Sequence, residues 1–398
     1  MALADQTFGF FMPPVSLMGV GSSKQAGVQA KSLGITHALV VTDEKLFKLG
    51  VANTIKNYLT EAGVKVSIFH GAEPHPTETN VADGVAAFKK NKCDGLVSLG
   101  GGSSHDCCKG VGLVVSNGGQ ISDYAGADKA TKPLPPHVSI NTTAGTGSEM
   151  SRFAVITNPQ TRVKRVICDW RITPTVAIND PVLMIGMPPG MTAATGMDAL
   201  THAVEAYVTN VATPVTDACA IKAIELVAKY LRPSVANGQN LKARNGMAYA
   251  EFLAGMAFNS ALLGYVHAIA HQPGGKFNLP QGVCNAICLP VVCEFNLIAC
   301  PERFADIARA MGEEIHGLTA MEAGAKGIAA VRSLSKDVGI PSGLAFLGVK
   351  ESDLPALAEN AMKDLCALFN PRPARLQDVI DMYKQAMGTP YAKAAAAQ

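Results

Sequence analysis

The pattern of apolar residues changes once along the chain, and that change limits the folds the chain can adopt. In the first half, short runs rich in β-branched residues, at 37–43, 64–69 and 94–99, alternate with stretches of helical spacing such as 81–91. Because these runs are apolar on both faces, they are typical of parallel strands covered by helices on both sides. The first half therefore predicts a doubly wound α/β domain whose ligands bind beyond the carboxyl ends of the strands.

After Asp180-Pro181 the strand pattern stops, and helical spacing continues alone. A chain of 398 residues exceeds the size of one hydrophobic core, and glycine and proline cluster at 184–190. The sequence thus predicts a parallel-sheet α/β domain at 1–186 and an all-helical domain at 187–398. The remaining predicted strands are 138–141, 153–157, 165–168 and 175–178, and the predicted helices of the second half are 192–209, 216–231, 245–263, 302–311, 320–338, 353–368 and 376–386.

Composition and charge exclude several classes of protein. The formal net charge is +2 with acids and bases interspersed, which offers no electrostatic footprint to nucleic acid or an anionic membrane. No apolar run reaches the roughly eighteen residues of a membrane span, and residues 1–6 lack the basic start of a secretion signal. The ten cysteines form no CxxC pair, as expected of buried thiols in a reducing compartment. We expect a cytoplasmic protein whose partners are small molecules or further copies of itself. The closing run 394–398 carries no pattern and is left out of the fold prediction.

Two polar loops follow predicted strands of the first half. The segment 99–106 reads LGGGSSHD, in which glycines allow close approach to a pyrophosphate and Ser103 or Ser104 can cap the next helix. Alone it is also compatible with an ordinary glycine-rich turn, because it is not the GxGxxG fingerprint. The segment 141–149, NTTAGTGSE, brings a second set of hydroxyl and N–H groups to the same edge. Together the loops predict a nucleotide site.

Asp43 ends an early predicted strand. A carboxylate there can accept hydrogen bonds from adenosine ribose hydroxyls and would repel the additional phosphate of NADP, which favours NAD. The alternative is that Asp43 is the N-cap of a helix starting at Glu44, and the residues alone favour that alternative.

Two pairs of potential metal ligands have helical spacing in the second half. Asp198 and His202 lie four residues apart, and His267 and His271 repeat that spacing. Side chains so spaced face the same way and can hold one divalent cation. Either pair alone is more typical of a structural role. Because both pairs lie among apolar and small residues, convergence on one site is the better interpretation.

Over essentially its whole length the sequence resembles the iron-containing (group III) alcohol dehydrogenases, in the branch of NAD-linked methanol and 1,3-propanediol dehydrogenases. The matching segments are 100–106, 141–149, 192–207 (TAATGMDALTHAVEAY), 253–259 and 264–275. The resemblance implies a dehydroquinate synthase-like architecture, a divalent metal (Fe²⁺, with Zn²⁺ as the alternative) held by Asp198, His202 and His267, and His271 beside the substrate and nicotinamide. It implies that NAD is held by Asp43, Asn80, Gly101, Gly102, Ser103, Asp106, Thr142, Thr143, Thr146 and Lys164.

The fourth metal ligand departs from the family pattern. The family has a histidine after the proline of a Leu-Pro-His-Gly turn, whereas this chain has Gln281, whose neutral amide oxygen is normally a poorer metal donor than imidazole. Pro273, Lys276 and Val291 also differ from common family residues. Lys276 would bring positive charge near the substrate, or it is a solvated lysine. We therefore predict Gln281 as the fourth ligand of a site with reduced metal affinity.

The expected activity is metal-assisted hydride transfer between a short primary alcohol and NAD, or aldehyde reduction in the reverse direction. The metal would act as a Lewis acid, and His271 or a water chain would carry the proton, in a site between the domains. Two alternatives are a lyase-like relative that uses NAD transiently and a binding protein whose metal site Gln281 has impaired. Family habit suggests a homo-oligomer, at least a dimer.

Overall fold

The computed structural model describes residues 7–161 and 163–388. Two statements of the sequence analysis concern residues outside the described ranges. They are the absence of a secretion signal at 1–6 and the omission of the closing run 394–398 from the fold prediction. Within the described part, no single helix combines the length and apolar composition of a membrane span. The helices 241–261 and 265–277 meet both criteria only when they are counted as one segment, and a bend of 105° separates them.

The first half of the chain contains the strands. The main sheet has the order β1-β9-β6-β4-β2-β3, and every neighbouring pair is parallel. A smaller sheet has the order β5-β8-β7, with β7 and β8 antiparallel. The strands are β1 (Val15–Met18), β2 (His37–Val41), β3 (Lys65–Phe69), β4 (Gly95–Gly100), β5 (Gly126–Ala127), β6 (His137–Asn141), β7 (Phe153–Thr157), β8 (Lys164–Cys168) and β9 (Val176–Asn179).

Helices cover both faces of the main sheet, and every regular element that the structure describes from residue 189 onward is helical. The predicted parallel-sheet α/β fold with an all-helical second half is confirmed. The helices are α1 (Ala26–Ser32), α2 (Glu44–Lys48), α3 (Val51–Glu61), α4 (Glu78–Lys90), α5 (Gly102–Asn117), α6 (Pro189–Val208), α7 (Pro214–Ala236), α8 (Leu241–Ala261), α9 (Tyr265–Phe277), α10 (Gln281–Leu297), α11 (Pro301–Ala310), α12 (Ala320–Asp337), α13 (Leu354–Ala361) and α14 (Leu376–Ala386).

Alternate residues of β2 and β4 enter two different cores. Leu39 and Val41 of β2 pack with α4 and α5, whereas Ala38 and Val40 pack with α1 and α3. Since successive strand side chains point to opposite faces, this is why the strand runs are apolar without alternation. A third and larger core fills the helical half.

The structure differs from the predicted elements in three places. Helix α10 was not predicted, because it is buried on nearly all sides and therefore lacks the amphipathic pattern of a surface helix. The predicted helix 353–368 ends at Ala361, and Asp364 starts a new single turn by accepting a hydrogen bond from the Cys366 N–H. The short strands β1 and β5 also had no sequence signal, since an edge strand of four residues and one of two carry too little pattern.

Candidate functional site

The two polar loops meet at one edge of the main sheet. Gly100 and Asn141 are paired residues at the carboxyl ends of β4 and β6, so the loops that follow them are neighbours. They are in close contact: a Cβ on Gly101 would lie 2.9 Å from Cγ2 of Thr143, and one on Gly102 would lie 3.0 Å from Cγ2 of Thr146. A side chain at either position would crowd these threonines, so glycine helps the loops to approach each other.

The first turn of α5 lacks the predicted serine cap. Gly101 occupies the N-cap position without a side-chain hydrogen bond, and Ser103 and Ser104 lie inside the first turn. The prediction that a serine caps this helix is wrong, because the helix begins at Gly102, two residues earlier than an N-cap at Ser103 would require. The N-terminal N–H groups of α5 thus have no side-chain cap to compete with an anionic ligand.

Several predicted nucleotide-binding residues have hydrogen-bond partners within the protein. Asp43 accepts a hydrogen bond from the Leu46 N–H (2.9 Å), so the helix-cap alternative is observed, and Asn80 completes a capping box at the start of α4. Asp106 accepts from the Ser148 hydroxyl (2.6 Å) and the Val155 N–H (2.9 Å), which ties α5 to the second loop and to β7. Thr142, at the start of the second loop, is buried, and its N–H donates to the Gly100 carbonyl.

Helices α6 and α9 bring three potential ligands together. Asp198 and His202 of α6 and His267 of α9 are all buried, and one ligand atom from each lies within 4.8 Å of the others. The rings of His202 and His267 are nearly parallel, with centroids 4.8 Å apart. The predicted pair on α6 is therefore joined by the first histidine of the predicted pair on α9.

Both imidazoles are oriented by acceptors behind them. His202 donates from Nδ1 to the Gly145 carbonyl (3.1 Å), and His267 donates from Nδ1 to Oε2 of Glu205 (2.5 Å). Each ring therefore presents its Nε2 towards the cluster. Burial lowers the pKa of His202 to about 4, so this ring is neutral near pH 7, the form that binds metals.

Glu205 is a functional candidate that the sequence analysis missed. Its other oxygen, Oε1, accepts from the Val266 N–H (2.6 Å), so one carboxylate orients both the ring and the backbone at His267. The available signal was a second carboxylate seven residues after Asp198 in an otherwise apolar helix.

The donor set suits a divalent transition metal. One carboxylate oxygen and two imidazole nitrogens are ligands that Fe²⁺ and Zn²⁺ both accept, and the supporting hydrogen bonds behind the rings are those usual at metal-binding histidines. The cluster therefore fits the metal that the sequence predicts.

His271 lies one turn beyond His267, at the edge of the cluster. It donates from Nδ1 to Oδ2 of Asp364 (2.9 Å), and its ring meets that of His267 edge-on, 5.7 Å between centroids. Burial disfavours ionisation of Asp364, but the charge of His271 and hydrogen bonds from His271 and Cys366 outweigh it and lower the pKa of this carboxyl to about 2. His271 is thus held by an ionised partner that the sequence analysis did not identify.

Gln281 is the first residue of α10, and its amide is hydrogen-bonded at both ends. Oε1 accepts from Nζ of Lys164 on β8 (2.9 Å), and Nε2 donates to Oδ1 of Asn285 (3.1 Å). Lys276 pairs with Asp353 at the surface (2.6 Å), which agrees with the solvated-lysine interpretation. Pro273 and Val291 are buried in α9 and α10.

Known proteins resemble the chain over both halves. The family model described as "Iron-containing alcohol dehydrogenase" matches residues 13–181, and "Fe-containing alcohol dehydrogenase family, C-terminal" matches 192–387. A 1,3-propanediol dehydrogenase of Klebsiella pneumoniae is 53% identical over 386 residues, covering 96% of this chain and 100% of the relative. An NAD-dependent methanol dehydrogenase of Bacillus methanolicus is 50% identical over 378 residues, covering 95% and 99%. The crystal structure of a 1,3-propanediol oxidoreductase superimposes with a TM-score of 0.94 at 53% identity, covering 96% and 100%.

Proposed function

The chain belongs to the iron-containing alcohol dehydrogenase family, and on that premise we propose that it oxidises short-chain primary alcohols with NAD or reduces the corresponding aldehydes. The observation that carries this proposal is the buried cluster of Asp198, His202 and His267, at the side of the helical half that meets the loop containing Gly145. A hydride acceptor and a metal can therefore meet at the boundary between the two halves.

We assign the metal to Asp198, His202 and His267, with Fe²⁺ as the expected ion and Zn²⁺ as the alternative. When bound, the metal supplies Lewis-acid polarisation of an alcohol or carbonyl oxygen. All three side chains are buried, which limits the access of bulk water to this point. His271, held by Asp364, is the proposed carrier of the hydroxyl proton.

We propose that NAD, which accepts or returns the hydride, binds along the carboxyl edge of the main sheet. The contact between the two loops and the uncapped N-terminus of α5 support this position. The boundary between the nucleotide-binding and helical domains is proposed at 186–187, between the last strand and α6. The proposed NAD-binding residues are Asp43, Asn80, Gly101, Gly102, Ser103, Asp106, Thr142, Thr143, Thr146 and Lys164.

Metal analysis combined with an alcohol panel tests the proposal. Purified protein should contain iron or zinc and form NADH from NAD with alcohols of one to four carbons, and net NADH accumulation would exclude the lyase-like alternative. Asp198→Ala should lose both metal and activity, whereas Glu225→Ala, an exposed carboxylate of α7, should lose neither. Native activity in metal-free Asp198→Ala protein would refute the metal assignment.

We further propose a cytoplasmic homo-oligomer of at least two copies, without nucleic-acid or membrane partners. Eight of the ten cysteines are buried and all are free thiols, which supports a reducing compartment. Exposed apolar side chains on the helical half, such as Ile298 and Leu368, support self-association. Light scattering during size-exclusion chromatography measures the oligomeric state; a monomer at micromolar concentration would contradict it.

A further inference from the structure

A chain of hydrogen bonds joins β8 to the metal-binding cluster. Lys164 donates to Gln281 Oε1 (2.9 Å), Gln281 Nε2 donates to Asn285 Oδ1 (3.1 Å), and Asn285 Nδ2 donates to Asp198 Oδ1 (2.6 Å). The same Nδ2 lies 3.1 Å from Nε2 of His267. Three side chains therefore connect the smaller sheet to two of the proposed ligands.

The hydrogen-bond partners determine which way the Gln281 amide points. Lys164 has only donors to offer, so the atom of Gln281 that faces it must be the oxygen. Burial lowers the pKa of Lys164 to about 8, which leaves it mainly cationic near pH 7. The amino end of the amide then faces Asn285, and an amide nitrogen that donates a hydrogen bond has no lone pair for a metal.

Close packing holds the oxygen of Gln281 in this position. A Cβ on Gly274 of α9 would lie 3.1 Å from Gln281 Oε1 and 3.4 Å from Lys164 Nζ. The glycine therefore makes room for the lysine–amide contact, and α9 covers it on that side.

Asn285 occupies a different position, directly against the ligands. His267 has one free lone pair at Nε2, because its Nδ1–H is committed to Glu205. A bound metal would take that lone pair from Asn285. Asp198 carries further lone pairs, so Asn285 keeps its hydrogen bond to Asp198 when metal binds and holds that carboxylate in place.

We propose that this chain holds its divalent metal with only three side chains, those of Asp198, His202 and His267, and that Gln281 bridges Lys164 and Asn285 instead of acting as the fourth ligand. The proposal rests on the proposed function. It replaces the sequence prediction that Gln281 coordinates the metal, and it leaves an additional coordination position to water or substrate oxygen.

Cobalt binding by the apoprotein tests this assignment without measuring activity. The visible absorption of bound Co²⁺ depends on the number and type of its ligands, and competition with a chelator gives its affinity. Gln281→Ala should leave the Co²⁺ spectrum unchanged and weaken binding by less than about 10-fold, the lower end of outer-shell effects. Gln281→His, which restores an imidazole, should shift the spectrum and tighten binding by about 10-fold or more.

Two controls separate the ways in which this test can fail. His202→Ala measures the loss of a true ligand. If Gln281→Ala alters the spectrum and weakens binding as His202→Ala does, then Gln281 is a ligand and only the present proposal fails. If Asp198→Ala and His202→Ala both bind Co²⁺ as the native protein does, the metal site of the proposed function itself fails. Gln281→Leu provides the same comparison if Gln281→Ala does not fold, since leucine also lacks a donor atom.

Discussion

At the scale of single residues, Asp43 combines a structural role with a proposed functional one. It caps α2 through Oδ1, and it stands beyond the carboxyl end of β2, where the ribose of NAD is expected. Because asparagine caps a helix about as well as aspartate, Asp43→Asn separates the cap from the charge.

We expect Asp43→Asn to use NADP better relative to NAD while its melting temperature stays unchanged. The removed carboxylate no longer repels the additional phosphate, which should appear as a higher ratio of kcat/KM for NADP to that for NAD. Asp43→Ala is the control for the cap, and it should lose about 1 kcal/mol of stability. If the Asp43→Asn enzyme keeps the native cofactor preference, Asp43 caps the helix but does not select between NAD and NADP.

Asp364 gives a second test at this scale. Asp364→Asn keeps a group of the same size beside His271 but removes the negative charge that faces the ring. We expect kcat to fall by up to about 100-fold, the lower end of proton-transfer effects, with KM for the alcohol nearly unchanged. An equal change in KM would indicate a role in substrate binding, and an unchanged kcat would remove Asp364 from the mechanism.

At the scale of secondary structure, the close approach of α10 to α6 positions the site. A Cβ on Gly282 of α10 would lie 2.3 Å from the Ala194 carbonyl oxygen and 3.3 Å from Cβ of Asp198. The first contact is with helix backbone, which cannot move without shifting α6. Glycine at position 282 therefore allows Asn285, one turn later, to reach Asp198.

We expect Gly282→Ala to push α10 away from α6, lengthen the Asn285–Asp198 hydrogen bond, and lower both metal affinity and melting temperature. Overpacking of this kind costs about 1–3 kcal/mol. Gly190→Ala in α6 is the matched control, because a Cβ there meets nothing within 4 Å and should be neutral or slightly stabilising. Native metal affinity in Gly282→Ala would show that this approach is not needed for the site.

At the scale of the whole molecule, a buried pair of carboxyl groups lies between the sheet and the helical half. Glu149 follows β6 and Glu251 belongs to α8; both are fully buried, and each carboxyl group lies near enough to the other to influence its ionisation. Burial, together with the neighbouring carboxylate, raises the pKa of Glu251 well above its usual range. The groups that face the pair are Asn141, Gly147 N–H, Asn179 and the buried Lys109.

This pair should make stability fall as pH rises. A carboxyl whose pKa is raised by folding stabilises the protein below its unfolded pKa, and that contribution is lost as pH rises through the raised native value. Glu251→Gln stays neutral, so we expect it to be more stable than the native protein at about pH 8, by about 1.4 kcal/mol for each unit of pKa shift. Melting curves of both proteins between pH 4 and about pH 8 measure the difference in stability, which should vanish towards pH 4–5.

Glu225→Gln, an exposed position of α7, should show no such pH-dependent difference. A Glu251→Gln variant that is destabilised equally at all pH values would mean that a raised pKa of Glu251 does not govern the stability of this region.

Local patterns were sufficient for the class of fold and for the ligands that share a helix. Strand runs apolar on both faces predicted the covered parallel sheet, and four-residue spacing predicted that Asp198 and His202 face one way, because both depend only on backbone periodicity. The same patterns did not predict α10, whose apolar residues point in all directions once it is enclosed by other helices.

The completed site depended on contacts between residues far apart in sequence. Spacing pairs His267 with His271, but the packing of α9 against α6 and α10 joins His267 to Asp198 and turns His271 towards Asp364. The sequence predicts the glutamine at a family ligand position as a substitute ligand, whereas the structure shows its oxygen accepting a hydrogen bond from Lys164, 117 residues away. Periodicity determines which face of a helix a side chain occupies. The partner of that side chain is determined by packing and by competition among buried donors and acceptors, and only the tertiary structure brings these groups together.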